Sequence, residues 1–158
     1  MRLVCLRCRL IRELIKGNQL ADAAKVQIFL RIKMEKYLVV AFGGALGSVL
    51  RYWVSGLDIK YSRGVFPVST FFVNVIGSLV IGLLWGLFER LNYSPLLRIF
   101  LFVGILGGFT TFSSFSLENL NLIRDGEYRI ALIYILLTNV VGLSLAFCGY
   151  FLARMAVK

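Results

Sequence analysis

Polar side chains recur at helical spacing inside the apolar stretches of this sequence. Thr70, Asn74 and Ser78 lie four residues apart and therefore share one face of a helix. An asparagine is unfavourable in an otherwise apolar membrane helix unless it faces a partner or a cavity. Hydroxyl and carboxamide groups are neutral hydrogen-bond donors, so this face predicts a row of such donors beside a partner or a cavity.

The stretch from Gly104 to Ser116 combines two adjacent glycines with five hydroxyl residues and three phenylalanines. Because glycine weakens a helix, Gly107 and Gly108 predict a break that frees backbone carbonyls. Membrane transport proteins use carbonyls at helix breaks to coordinate Na⁺. The alternative is an unbroken helix whose hydroxyls bond to its own backbone.

Aromatic and hydroxyl residues follow this predicted break at regular spacing. Phe112 and Phe115 share one helix face, Thr111 and Ser114 form a neighbouring face, and Glu118 lies one turn beyond. The positive edge of an aromatic ring can face an anion. The alternative for the two rings is simple contact with lipid.

The last apolar stretch repeats the four-residue spacing with Tyr134 and Thr138, and Asn139 lies alongside. Arg51, near the end of the first apolar stretch, can extend to the lipid headgroups or attract anions to a vestibule. None of these faces carries a carboxylate at the membrane centre. Neutral donors suit a small anion, whereas a proton-coupled cation carrier needs a titratable acid in mid-span.

Four apolar segments must position these side chains. Three are free of charge, between Arg63 and Glu89, Arg98 and Glu118, and Arg129 and Arg154, and the fourth runs from Tyr37 to Leu57 with Arg51 as its one charge. Each is long enough to cross a hydrocarbon core of about 30 Å as a helix. We therefore predict an all-α integral membrane protein with four transmembrane helices, the third broken at mid-membrane. The helices are expected near residues 36–57, 66–89, 95–122 and 128–154, with Pro67 and Pro95 at helix starts. The linkers are expected from Asp58 to Gly64, from Arg90 to Ser94 and, with an Asp-Gly turn, from Ile123 to Glu127.

Composition and charge support a membrane protein. The chain is 59% hydrophobic and 16% charged, with a net charge of +10. More than half of that excess lies in residues 1–33, and the other charges lie almost wholly in loops and termini, as expected near lipid headgroups. This distribution argues against nucleic-acid binding. Cys5 and Cys8 have CxxC spacing, but the chain has no histidine and no second cysteine pair to complete a zinc site.

Residues 1–33 differ from the rest of the chain in their mixed charge and scattered apolar residues. One interpretation is a basic amphipathic helix on the membrane surface. The other, which we favour, is that translation starts at Met34 and the upstream segment is a gene-model extension. Residues 34–158 are expected to form one membrane domain.

Positive charge is balanced between the two sides of the predicted domain. Counting from Met34, five Lys/Arg fall on the side of the termini (Lys36, Arg90, Arg98, Arg154 and Lys158) and four on the other (Lys60, Arg63, Arg124 and Arg129). A chain with a fixed orientation normally shows a clear excess on one side. The balance therefore predicts insertion in both orientations.

Three motifs carry a resemblance to a known family. They are Gly-Gly-Ala-Leu-Gly-Ser-Val-Leu-Arg-Tyr at 43–52, Thr-Phe-Phe-Val-Asn-Val-Ile-Gly-Ser at 70–78 and Gly-Gly-Phe-Thr-Thr-Phe-Ser-Ser-Phe at 107–115. In this order they resemble the Fluc, or CrcB, fluoride channels over essentially all of residues 37–155.

The resemblance implies an antiparallel homodimer in the bacterial cell membrane with two fluoride pathways. It implies a structural Na⁺, not transported, held by the backbone carbonyls of Gly107 and Thr110. The residues implied to line the anion path are Thr70, Asn74, Thr111, Phe112, Ser114, Phe115, Tyr134 and Thr138. Arg51 matches a vestibule arginine, and we also assign Glu118 to the vestibule.

We expect a passive, fluoride-selective channel, and not an enzyme, that lets cytoplasmic F⁻ leak out and so reduces its toxicity. The chief alternative is a small four-helix multidrug exporter, which would need a membrane-embedded glutamate in the first span, where this chain has none. A second alternative, an assembly subunit that only packs helices, leaves the polar faces unexplained.

Overall fold

A computed structural model describes residues 2–61, 65–91 and 93–157, with side chains for 25, 27, 29–56, 65–91 and 93–157. These residues are almost entirely helical. The helices are α1 (Arg2–Tyr61), α2 (Val68–Arg90), α3 (Pro95–Arg98), a π-helical segment (Ile99–Leu106), α4 (Gly107–Phe109), α5 (Phe112–Arg124) and α6 (Tyr128–Ala156). Met1–Leu38 and Val39–Lys158 form two separate compact units. Part of the linker predicted from Asp58 to Gly64 lies outside the described residues.

Four helical stretches are long and apolar enough to cross a membrane, which confirms the predicted fold class. They are Phe29–Gly56, Val68–Arg90, Pro95–Arg124 and Tyr128–Ala156. The helical backbone of α1 begins far upstream of the predicted start near residue 36. The division of the chain at Met34 stays a prediction.

Local sequence explains where the third and fourth spans begin. Pro95 occupies the first turn of α3, and the Ser94 hydroxyl caps that helix by accepting a hydrogen bond from the Leu97 N–H at 3.2 Å. Before α6, Gly126 has a φ of +84°, which a residue with a side chain rarely adopts. The predicted Asp-Gly turn is therefore present between the two spans.

Close contact between backbones joins α2 to α6. A Cβ atom built at Gly82 would collide with the Ala146 backbone, and one at Gly149 would collide with the backbone of Leu79. Helices without a side chain at the contact can approach closely, which is how helices associate in lipid. The two spans therefore form a regular, tightly packed pair.

Glycines also bring the first span against the third. A Cβ at Gly43 would lie 2.9 Å from the Cα of Gly104, and a Cβ at Gly108 would lie 2.5 Å from the carbonyl oxygen of Gly44. The small residues of 43–52 and 104–108 thus serve close helix packing.

The third span is broken, as predicted, but three residues later than the glycine pair. Gly107 has helical dihedrals (φ −63°, ψ −35°), whereas Thr110 (φ −76°, ψ 155°) and Thr111 (φ −149°, ψ 118°) are extended. The predicted position at Gly107 and Gly108 is therefore wrong. The reason is that Gly108 is needed for close approach to α1, while the β-branched threonines accept an extended backbone readily.

Candidate functional site

A groove of about 460 Å³ lies where the break of the third span meets α2 and α6. Its polar lining residues are Asn74 and Ser78 from α2, Thr110 and Thr111 from the break, and Thr138 and Asn139 from α6. Phe112 and Phe115, on α5, supply aromatic rings to the same groove. The polar faces predicted on three separate spans therefore converge.

Asn74 makes the most specific contact in this groove. Its Nδ2 donates to the Thr111 carbonyl at 3.0 Å, and its Oδ1 accepts from the Thr111 N–H at 2.9 Å. One side-chain amide thereby satisfies both backbone groups of a residue that has left the helix. An unpaired backbone group in a membrane interior is strongly unfavourable, so these two bonds stabilise the extended conformation.

The hydroxyl groups around Asn74 are also engaged. Ser78 Oγ donates to the Asn74 carbonyl at 2.8 Å, and Thr110 Oγ1 donates to the Leu106 carbonyl at 2.9 Å. Thr111 Oγ1 accepts from the Ser114 N–H at 3.1 Å and so caps the first turn of α5. Thr111 and Ser114 therefore help to form the break. The prediction that they share one helix face did not include this role.

Two groups from α6 differ in their environment. Thr138 Oγ1 is buried and has no hydrogen-bond partner among the residues that the structure describes. Asn139 is exposed, and its Nδ2 donates to the Ile135 carbonyl of its own helix at 2.7 Å. Thr138 therefore keeps a hydroxyl available to a ligand, and Asn139 keeps its second N–H.

A second polar cluster joins α2, α5 and α6 around Glu118. One carboxylate oxygen accepts from Thr70 Oγ1 at 2.6 Å, and the other accepts from the Tyr134 hydroxyl at 2.7 Å. Sequence reasoning assigned Glu118 to a vestibule with Arg51. In the part of the chain with described side chains, no ion pair joins the two residues. The side-chain contacts connect Glu118 instead to two residues predicted for the anion path.

The two aromatic rings are neighbours with very different exposure. The ring centroids of Phe112 and Phe115 are 5.7 Å apart at an interplanar angle of 39°. Phe112 is 79% exposed, whereas Phe115 is 8% exposed and packs on Tyr134 at a centroid distance of 5.0 Å. Phe115 is therefore packed inside the fold, whereas the ring of Phe112 lies on the outer surface of the chain.

The break leaves backbone carbonyls without their helical donors, among them those of Gly107 and Thr110. In an unbroken helix the Thr111 N–H would bond to the Gly107 carbonyl, and the Ser114 N–H to that of Thr110. Here those N–H groups bond to Asn74 Oδ1 and Thr111 Oγ1. The described residues contain no cluster of His, Cys, Asp or Glu suited to a metal. Backbone carbonyls suit a hard cation such as Na⁺, so Gly107 and Thr110 fit the predicted site.

Sequence reasoning did not include Asn119 among the site residues. Its side chain is 7% exposed, its Nδ2 donates to the Phe115 carbonyl at 2.8 Å, and its Oδ1 has no partner among the described residues. Its position directly after Glu118 and four residues after Phe115 was the available signal.

Comparison with known proteins gives one consistent result. The sequence model of the family described as "CrcB-like protein, Camphor Resistance (CrcB)" matches residues 38–150. A protein of Methylobacillus flagellatus named fluoride-specific ion channel FluC is 48% identical over 127 residues, which are 79% of this chain and 99% of the relative. Proteins with the same name from Thermus thermophilus and Parabacteroides distasonis are 52% identical over 118 residues and 45% over 121. These alignments cover 74% and 77% of this chain, and 94% of each relative.

Proposed function

Because the chain belongs to the CrcB family, we propose that it is a fluoride-selective channel that lets F⁻ leave the cytoplasm passively and so reduces fluoride toxicity. It is a multi-pass protein of the bacterial membrane. The observation that carries the function is the convergence of neutral hydrogen-bond donors and aromatic rings from three spans on one groove. We propose that transport needs no catalytic step.

The chemistry of this groove suits fluoride. F⁻ is small and strongly hydrated, so a pore must replace its water with hydroxyl, amide and ring-edge donors. We propose that the path is lined by the eight residues predicted from the sequence: Thr70, Asn74, Thr111, Phe112, Ser114, Phe115, Tyr134 and Thr138. The free hydroxyl of Thr138 supports this proposal, since a buried donor without a partner is rare unless a ligand uses it.

The Glu118 cluster gives this path a second polar position. Thr70 and Tyr134 already donate to the carboxylate, so its charge is partly compensated. We propose that these hydroxyls exchange between Glu118 and a passing anion. Arg51 is proposed as the vestibule cation that raises the local anion concentration.

We propose that Na⁺ occupies a structural site at the carbonyls of Gly107 and Thr110. When bound, the cation would supply positive charge beside the groove and satisfy two carbonyls that lack helical donors. The bonds from Thr111 N–H to Asn74 and from Ser114 N–H to Thr111 support this proposal because they leave both carbonyls available.

The partner is proposed to be a second copy of the chain in antiparallel orientation. Phe112 and the amide of Asn139 are both exposed on one copy and line the groove. An exposed amide in mid-span is unfavourable in lipid, so contact with a second copy or with water in the path would satisfy it. The balanced loop charges of residues 34–158 support insertion in both orientations.

Fluoride efflux from reconstituted vesicles tests the proposed function. Purified protein is placed in liposomes loaded with potassium fluoride or, in parallel, with potassium chloride. Valinomycin balances the charge while an ion-selective electrode follows the external anion. Rapid fluoride release with no comparable release of chloride is the expected result. Equal release of both anions, or fluoride release no faster than from empty liposomes, would contradict the proposal.

A further inference from the structure

Asn74 and Asn139 line the same groove but use their amides differently. The Asn74 amide spans two elements and bonds to both backbone groups of Thr111. The Asn139 amide bonds to the Ile135 carbonyl within α6. Asn74 therefore belongs to the architecture of the break, whereas Asn139 does not contact the break by a hydrogen bond in the described residues.

The bond to Asn74 changes which backbone groups are free. By accepting from the Thr111 N–H, Asn74 Oδ1 takes the donor that a continuous helix would give to Gly107. The Gly107 carbonyl, in the middle of a span, then needs another partner. Asn74 is thus connected to the proposed cation site through one backbone N–H.

The surface of α2 is shaped to receive the break. Gly77 lies three residues after Asn74, and a Cβ atom at Gly77 would collide with the Thr110 methyl group. Asn74 thus bonds to Thr111 while Gly77 makes room for Thr110. The two residues occupy neighbouring positions on one helix face, so α2 holds both extended residues in place.

We propose that Asn74 is a positioning residue, which acts on fluoride through the break and not as a direct ligand of the anion. Its amide holds Thr111 extended, keeps the Gly107 carbonyl available to the cation, and fixes where α5 begins and hence where Phe112 lies. The inference rests on the proposed fluoride channel with its structural Na⁺, and it assigns Asn74 to the cation site instead of the list of direct anion donors.

Sodium dependence separates a positioning role from a ligand role. Wild type, Asn74→Ala and Asn139→Ala are compared for fluoride efflux and for thermal melting, with Na⁺ replaced stepwise by N-methyl-D-glucamine. Loss of the Asn74 bonds is expected to raise the Na⁺ concentration for half-maximal stabilisation by about tenfold. Asn139→Ala is expected to keep the wild-type Na⁺ dependence even where its efflux falls.

An isosteric variant provides a pH readout that a packing role would not change. In Asn74→Asp, the protonated carboxyl can donate to the Thr111 carbonyl and accept from its N–H, whereas the ionised form cannot donate. Acidification from about pH 8 to about pH 3, which passes the ordinary aspartate pKa of about 3.9, is therefore expected to restore the Na⁺-dependent melting shift in this variant relative to wild type at the same pH. If Asn74 only fills space, the shift would equal that of wild type throughout this range.

The outcomes decide the inference separately from the channel assignment. Reduced efflux in Asn74→Ala with unchanged Na⁺ dependence would make Asn74 a direct anion ligand and overturn the proposal. Absence of any Na⁺ effect on wild-type melting would also overturn it. If wild type passes no fluoride, the channel assignment fails, and the melting series alone still decides whether Asn74 positions the cation site. If Asn74→Ala does not fold, the pH series of Asn74→Asp supplies the same decision.

Discussion

The α2–α6 pair and the third span satisfy their backbones in opposite ways. Both α2 and α6 are continuous helices that run for 23 and 29 residues, and glycines bring their backbones into contact. The third span contains the short helix α3, a π-helical segment, the short helix α4, two extended threonines and the longer helix α5. In lipid, each backbone group needs a partner inside the protein or in a cavity. In α2 and α6 the partners are backbone groups of the same helix. At the break of the third span they are the side chains of Asn74 and Thr111.

This difference explains why ligand chemistry is concentrated at the break. A continuous helix leaves no backbone carbonyl available in mid-span, so it can present ligands through side chains alone. The break frees backbone carbonyls, which the proposed Na⁺ site would use, and it presents an aromatic ring and hydroxyls toward the groove. The α2–α6 pair contributes rigidity, the unpaired hydroxyl of Thr138 toward the groove, and the Asn74 amide that bonds to Thr111 at the break. Rigid scaffold and irregular site are thus separate parts of one small domain.

The largest expected effect comes from disturbing the regular pair. A Cβ at Gly149 would collide with the Leu79 backbone, which cannot move without separating two helices. We expect Gly149→Val to cost about 3 kcal/mol or more and to abolish recovery of folded protein from detergent extracts. Gly56→Ala, with nothing within 4 Å of its Cβ among the described residues, is the control. Normal recovery of Gly149→Val, measured by size-exclusion chromatography, would contradict tight backbone packing of α2 on α6.

A large functional effect is expected from the exposed ring beside the break. Phe112→Ile removes a ring edge from the proposed path, and a dehydrating anion then meets a barrier higher by a few kcal/mol, which slows efflux by roughly ten- to a thousand-fold. Leu120→Ile is the control because Leu120 is another exposed apolar residue on α5 and does not line the groove. Wild-type fluoride efflux in Phe112→Ile, with the protein still assembled, would indicate that Phe112 only contacts lipid or a partner.

Two tyrosine–glutamate hydrogen bonds, one at the candidate site and one in the α2–α6 pair, allow a comparison in which the expected effects are smaller. Tyr134 donates to Glu118 beside the third span at 2.7 Å, and Tyr150 donates to Glu89 within the α2–α6 pair at 2.9 Å. Tyr134 is fully buried, whereas the Tyr150 bond is exposed. A hydrogen bond to a charged group contributes about 1.5–3 kcal/mol when shielded from water, and far less when exposed.

We therefore expect Tyr134→Phe to lower stability by about 2 kcal/mol and to slow fluoride efflux by roughly tenfold. Tyr150→Phe should lower stability by less than about 0.5 kcal/mol and slow efflux by no more than about twofold. Thermal melting in detergent and vesicle efflux provide both readouts. Equal effects of the two substitutions would show that the Glu118 cluster is as open to water as the Glu89 bond.

Much of the fold could be predicted from the sequence because lipid imposes a simple rule. Stretches without charge mark the spans, and prolines and an Asp-Gly pair mark their ends. The break of the third span was also predictable, since two adjacent glycines weaken a helix. Its position was not, because it depends on a bond from Asn74 to Thr111, which are 37 residues apart.

The candidate site, like the fold, could be predicted from the sequence only in part. Spacing along one helix predicted which polar residues share a face, and three such faces do meet at the groove. Spacing within a helix carries no information on contacts between helices. Thr70 and Glu118 are 48 residues apart and bond directly, so the sequence of its own helix could not connect Glu118 to the proposed anion path.

The smallest predicted effect concerns the adjacent glycines whose roles the structure separates. A Cβ at Gly108 would lie 2.5 Å from the Gly44 carbonyl oxygen, while at Gly107 the nearest atom, the Phe102 carbonyl oxygen, is 3.8 Å away. We expect Gly108→Ala to lower stability by on the order of 1 kcal/mol or somewhat more. Gly107→Ala should leave stability of the single chain unchanged or raise it by about 0.5 kcal/mol, since alanine favours a helix.

Melting of the two variants at several protein concentrations checks this expectation and extends it. In the described part of the chain a Cβ at Gly107 meets nothing closer than the Phe102 carbonyl oxygen at 3.8 Å, so we would attribute damage from Gly107→Ala to a partner or an ion beside its carbonyl. A loss of stability that grows with dilution would identify a second copy at that position, since dissociation depends on concentration. A loss that disappears in saturating Na⁺ would identify the cation instead. Equal damage from both variants under all conditions would contradict the separation of packing glycine and site glycine.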